Sequence, residues 1–252
     1  MTSDSEPTHP ALRGAARNVL DELVLLALAG ISTGVVVAGI GGRLAMLTLR
    51  LTSHPRVIGV QSDDDFTIGR LTFFGTYNLL VLGAAFGVIG AALYQWVRPW
   101  LIGPRWFRYL TVGVACGAVI GSMLIHADGI DFRALTPTWL AIALFIALPF
   151  LYGVAVAWTV DRLDRQGSFA REGRARFIVA PLLAVMFPLT LVLLGVALLV
   201  LCVWVPARDA WHADGSAVPR PLTLVVRGVW LAIATLGLIA LVNDIREIAA
   251  VT

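Results

Sequence analysis

This sequence has little charge. Only 14% of its 252 residues are Asp, Glu, Lys or Arg, while 58% are hydrophobic. Soluble domains carry about 25% charged residues, so an ordinary soluble domain is excluded. Lysine is missing altogether, and all 19 basic residues are arginines. With abundant Ala, Val, Gly and Leu, that matches the codon bias of a GC-rich bacterial genome and says nothing about mechanism. Cysteine is nearly absent: Cys116 and Cys202 stand alone in separate apolar runs. Their expected depths differ, which argues against a disulfide. Neither belongs to a metal-type or haem-attachment spacing, and both read as small apolar residues. The formal net charge of +3 comes without a basic patch on a soluble nucleic-acid-binding segment, so nucleic acid is not an expected partner. No motif names a reaction or a substrate, and no cofactor is expected.

What the chain does have is six long apolar runs: Leu23–Leu49, Leu71–Val97, Phe107–Ile125, Thr138–Val160, Phe177–Val205 and Leu222–Val242. Each reaches or approaches the ~20 apolar residues a helix needs to cross a bilayer. The expected fold is all-α: a polytopic integral membrane protein with a bundle of six transmembrane helices over residues 21–252 and no soluble domain. Residues 1–20 are rich in Ser, Thr, Pro and Ala and read as an N-terminal tail with a short helical lead-in. A cleaved signal peptide is disfavoured. Only about six apolar residues precede the Ala27-Leu28-Ala29 stretch, where a cleavable core needs roughly 7–15.

The arginines suggest an orientation. Arg13 and Arg17 lie in the tail, Arg98, Arg105 and Arg108 in the second joint, and Arg162, Arg165, Arg171, Arg174 and Arg176 in the fourth. The third joint has only Arg133, and the fifth has Arg208 and Arg220. The positive-inside rule then puts both termini in the cytoplasm of a bacterial plasma membrane. The first joint dissents, with Arg50, Arg56 and Arg70. Trp96, Trp100, Trp106 and Tyr109, mixed with arginines, mark a headgroup-level boundary.

Small residues recur at every fourth position in the first three runs: Gly30, Gly34, Ala38 and Gly42; Gly83, Gly87 and Ala91; Gly113, Gly117 and Gly121. On a helix each set lines one face. Lipid tails are as apolar as Leu, so membrane helices associate by close packing, and these glycine ladders are expected at helix contacts. Pro149, Pro181 and Pro188 interrupt the later runs, and Pro188 predicts a kink. No repeat relates the two halves.

Polar residues inside the runs are the pointers to function, because burying them in lipid is costly. On the six-crossing topology Arg43, Asn78 and Arg227 lie at one depth, roughly 8–10 Å below the outer edge. With Arg70 they form a candidate vestibule for an anionic or zwitterionic solute. Asp63, Asp64 and Asp65, with Asp128 or Asp131, form a candidate hard-cation site. The structural alternative has Arg43 and Arg227 snorkelling to lipid phosphates and the Asp run solvated. His126 has no second histidine nearby in sequence. Asp161 and Arg165, four apart, permit an exposed ion pair, and Asp244 could meet an arginine of the fourth joint. The first functional reading is a non-enzymatic accessory or assembly partner, in contact with the bilayer and with another membrane protein or a second copy of the chain. The alternatives are a small-solute transporter or channel, and then a membrane-embedded enzyme.

Overall fold

A computed structural model describes residues 9–54, 72–126, 132, 135–165, 167–170, 175–185, 195 and 220–251. They are helical, with no strand among them. The elements are α1 (His9–Thr33), a π-helical segment (Gly34–Gly41), α2 (Gly42–Thr52), α3 (Phe73–Val97), a 3-10 turn (Arg98–Trp100), α4 (Arg105–Leu124), α5 (Thr138–Leu163), α6 (Arg176–Val185) and α7 (Arg220–Val251). Five stretches among the described residues are long and apolar enough to cross a membrane: Val19–Thr52, Phe73–Trp100, Arg105–Leu124, Thr138–Leu163 and Thr223–Ala250. They coincide with five of the six expected runs. Of the fifth run, Phe177–Val205, the structure describes only the part in α6 and Gly195; the rest, with Pro188, lies outside the described residues. The division expected at residue 20 falls inside α1.

Local chemistry sets the helix ends. Thr72 is extended, and its side chain accepts from the Gly75 amide at 3.2 Å, so it caps one of the N–H groups that α3 leaves without a helical partner. At the other end Gly103 adopts φ +90°, a conformation costly for any residue with a Cβ. Pro104 follows as the N-cap of α4. Together they turn the chain back after only a few residues.

The helices are held by backbone approach rather than by large side chains. A Cβ added at Gly30 would stand 2.5 Å from the carbonyl carbon and oxygen of Gly87. Gly34 and Gly83 face each other in the same way. On the second seam a Cβ at Gly113 would stand 3.0 Å from the Phe150 carbonyl, and one at Gly153 would stand 2.8 Å from the Val112 carbonyl. A Cβ at Gly117 would stand 3.3 Å from the Phe150 Cβ. Where side chains vanish, helix axes can approach until backbone meets backbone, which maximises dispersion in a medium that supplies no hydrophobic drive.

The first ladder departs from its expected register. A π-helix bonds i to i+5 rather than i to i+4, so the every-fourth periodicity lapses after Gly34. The next buried glycine is Gly39, five residues on. Its backbone nitrogen is 3.1 Å from the Cβ position of Gly83. Gly42 is buried too, but a Cβ there would meet only the Leu79 side chain, at an ordinary 3.6 Å. Tyr152 completes this seam by donating its hydroxyl to the Gly87 carbonyl at 3.0 Å.

Helix directions follow from these contacts. Gly30 meets Gly87 while Gly42 meets Leu79, so α1–α2 runs antiparallel to α3. By contrast α7 runs parallel to α4. Arg227, early in α7, contacts Trp100, just before α4. Gly237 lies against Val119, and Leu241 approaches Gly121. Ile248 shares an apolar cluster with Ile125, Leu49 and Ala141. One end of the bundle therefore carries Arg98 and Trp100, and the other carries Leu49, Ile125 and Ile248. In six alternating crossings the third and sixth would be antiparallel, and this pair is not. Asp244, at the Ile248 end of α7, is thereby separated from Arg162 and Arg165 of the fourth joint. A reporter that works on only one side of the membrane should give opposite results when fused at Gly103 and after Ala250, and the same result after His54 as after Ala250. Equal results at Gly103 and Ala250 would overturn the parallel pairing.

Candidate functional site

The polar side chains that the structure brings together lie at the Arg98 end. Arg98 ends α3, where a cation is favoured by the carbonyl-rich helix terminus. Its Nε is 2.9 Å from Asp161 Oδ1, and its Nη1 is 2.6 Å from Asp164 Oδ2. Asp161 and Asp164 are three apart at the C-terminal end of α5, so they share a face. A carboxylate there opposes the helix dipole, and Arg98 offsets that for both. Tyr94 donates to Asp161 Oδ1 at 3.0 Å, and Tyr109 donates to Oδ2 at 3.1 Å. Asp161 is only 5% exposed. Burying a carboxylate is tolerable when its oxygens are hydrogen-bonded and a cation is adjacent, and here both conditions hold.

The cluster continues to α1. Gln95 donates through Nε2 to Oε1 of Glu22, which is 3% exposed. The Gln95 Oε1 in turn lies 3.5 Å from Arg98 Nη1. Four helices thus converge: α1 through Glu22, α3 through Tyr94, Gln95 and Arg98, α4 through Tyr109, and α5 through Asp161 and Asp164. The apolar cluster of Leu25, Leu26, Tyr94, Tyr152, Val156 and Val160 packs directly against it. Apart from Glu22, which lies mid-way along α1, each polar member lies within a turn or so of a helix end.

This cluster replaces one expected pairing. Asp161 is not an exposed partner of Arg165; it points into the bundle to Arg98, and Arg165 is exposed. The i, i+4 spacing points only to Arg165, because Arg98 is remote in sequence and invisible to local spacing. The usable signal was Tyr94 and Arg98 four apart, which puts them on one helix face. Glu22, at the start of an apolar run, was the other pointer.

The expected vestibule is divided. Arg43 is half-buried on α2, and Asn78 is exposed at the same level of α3, as the Gly42–Leu79 contact requires. Arg227 lies at the far end of α3, where its Nε donates to the Trp100 carbonyl at 2.9 Å. The 22 residues from Asn78 to Trp100 span roughly 30 Å of helix, so Arg227 does not share a layer with Arg43 and Asn78. The error came from assuming an antiparallel sixth crossing. Arg70, the run Asp63, Asp64 and Asp65, and the pair Asp128 and Asp131 lie outside the described residues. His126 is exposed just beyond α4. Among the described residues no group of His, Cys, Asp or Glu is arranged to hold a metal ion. Comparison with protein-family models, curated proteins and solved structures finds no match for this chain.

Proposed function

We propose that the chain is an integral membrane protein that acts as a non-enzymatic accessory or assembly partner. One observation carries the reading: among the described residues, the buried polar groups of the cluster are spent on one another. Both oxygens of Asp161 are taken by Arg98, Tyr94 and Tyr109, and Gln95 is spent on Glu22. A solute pathway needs intramembrane polar groups that face water and can change partners. A nucleophile or acid–base pair needs a place beside it for a substrate. A cluster tied across four helices supports neither; it fastens one end of a bundle.

The distribution of burial supports the same reading. Of the span in α7 only 11% is buried within the chain, against 56% for each of the first two spans. Leu224, Val225, Leu231, Leu236 and Leu238 all point outward. In a bilayer such a helix is free to pack against another membrane helix. A photo-reactive amino acid at Leu231 or Leu238, in cells expressing the full chain, should cross-link to one protein of discrete mass. The same probe at outward-facing Leu151 or Trp158 of α5 should label lipid only. If the α7 positions label only lipid, and the purified chain in vesicles moves a solute by itself, the accessory reading fails in favour of a transporter.

A further inference from the structure

Arg98 is neutralised by two carboxylates, but two other arginines at its end of the bundle have no carboxylate partner among the described residues. Arg108 on α4 and Arg227 on α7 make no ion pair among the described residues. Their positions follow from helix register. Gly237 lies against Val119, and α4 and α7 run parallel. Arg108 is eleven residues before Val119, close to three full turns, so it stands on the face of α4 that meets α7. Arg227 is ten residues before Gly237. The two arginines are therefore level to within about 2 Å along the bundle. Trp230, seven residues before Gly237, shares the face of α7 that meets α4.

The donors here are buried and unspent. The Arg108 Nε and the Trp230 Nε1 are shielded from solvent and have no hydrogen-bond partner among the described residues. A buried donor without an acceptor costs about 1–3 kcal/mol, so two in one groove call for an acceptor that the described residues do not supply. Arg227 uses Nε to hold the Trp100 carbonyl at 2.9 Å, which fixes its guanidinium across the gap between α7 and the 3-10 turn. Its remaining N–H groups are available. Two cations and an indole N–H converging with no carboxylate among the described residues define an anion site. Guanidinium forks match phosphate oxygens in pairs.

We propose that the groove between α4 and α7 at the Arg98 end binds the phosphodiester of an anionic phospholipid through Arg108, Arg227 and the Trp230 indole. This inference rests on the reading of the chain as a membrane protein. The depth suits a headgroup: Arg108 is three residues into α4, about 5 Å from its end. Beyond the arginines, outward-facing Leu231 and Leu238 of α7 give the acyl chains an apolar surface. A zwitterionic choline headgroup fits less well, because its ammonium meets two uncompensated cations.

The test uses the full chain, purified in mild detergent from membranes that resist alkaline carbonate extraction. Native mass spectrometry after addition of dioleoylphosphatidylglycerol should show one lipid retained per chain, with dioleoylphosphatidylcholine retained at least tenfold less. R108Q removes no hydrogen bond or ion pair made among the described residues, and it should cut phosphatidylglycerol retention at least tenfold while leaving the far-ultraviolet dichroism unchanged. W230F, which keeps the ring and loses only the N–H, should cut it several-fold. R105Q, an exposed arginine one turn away, should change it less than twofold. Equal retention by wild type and R108Q, or equal loss in R105Q, overturns the site. Stabilisation by millimolar inorganic phosphate with no preference for phosphatidylglycerol overturns the lipid assignment and leaves a free-anion site. If carbonate strips the chain from the membrane, the membrane reading itself fails, which is a separate result from failure to retain lipid.

Discussion

Gly87→Val should be among the most damaging single substitutions in this chain, costing about 3 kcal/mol or more. Overpacking typically costs about 1–3 kcal/mol when neighbouring side chains can yield. Here the neighbour is the Gly30 carbonyl, which is part of a helix and cannot rotate away. The helices α1 and α3 would have to separate along the whole seam, losing the Gly34–Gly83 approach and the Tyr152 hydrogen bond to Gly87 as well. A melting temperature lower by on the order of 10 °C is expected for the purified chain. Gly228→Ala is the internal control. Nothing lies within 4 Å of a Cβ at Gly228, and replacing a helical glycine by alanine gains roughly 0.5–1 kcal/mol. It should be neutral or mildly stabilising. Similar effects at Gly87 and Gly228 would mean that the backbone seam does not form.

Arg98→Met should cost about 3–5 kcal/mol, the range seen when one partner of a buried ion pair is removed. The cost arises less from the lost attraction than from what stays behind. Asp161 would keep its two tyrosine donors, but with its side chain 3% exposed it would lose the adjacent cation. Asp161→Asn should be damaging for the reciprocal reason, since Arg98 would retain only the more exposed Asp164. The double variant should cost less than the sum of the two by roughly 1–3 kcal/mol. Thermal melts of the four proteins in one detergent give that term directly. Strict additivity would separate Arg98 from Asp161 and remove the cross-linked cluster on which the functional reading stands.

These two sites differ in how far they could be read from the chain. That small residues recur at every fourth position, and would form a stripe on a regular helix, can be read from the chain alone. Which stripe meets which was not legible: Gly30 and Gly34 could have faced any helix, and the pairing with Gly87 and Gly83 is a property of the assembled bundle. The π-helical stretch from Gly34 to Gly41 was hidden as well. Its sequence is consistent with α-helix at every position, and the wider turn becomes visible only in where Gly39 ends up. The polar cluster was harder still. Arg98 and Asp161 are 63 residues apart, and nothing local distinguishes a buried aspartate from one paired with Arg165 on the surface.

Composition and run length alone determined that this chain is helical, with helices able to cross a membrane. A run of twenty or so apolar residues must satisfy its own backbone wherever water is scarce, and the helix does so within the segment. That argument needs no neighbour. The direction of α7 needed one. Charge counting supplied a global orientation by assuming that every run crosses once. A parallel α4 and α7 can be recognised only from the contacts of Gly237 with Val119 and of Arg227 with Trp100. The same contacts removed Arg227 from Arg43 and Asn78 and placed it beside Arg108. Local sequence sets which segments become helices because hydrogen bonds within a helix span four residues. Which polar groups share a site is decided by tertiary packing, because the groups come from helices that the chain order does not make neighbours.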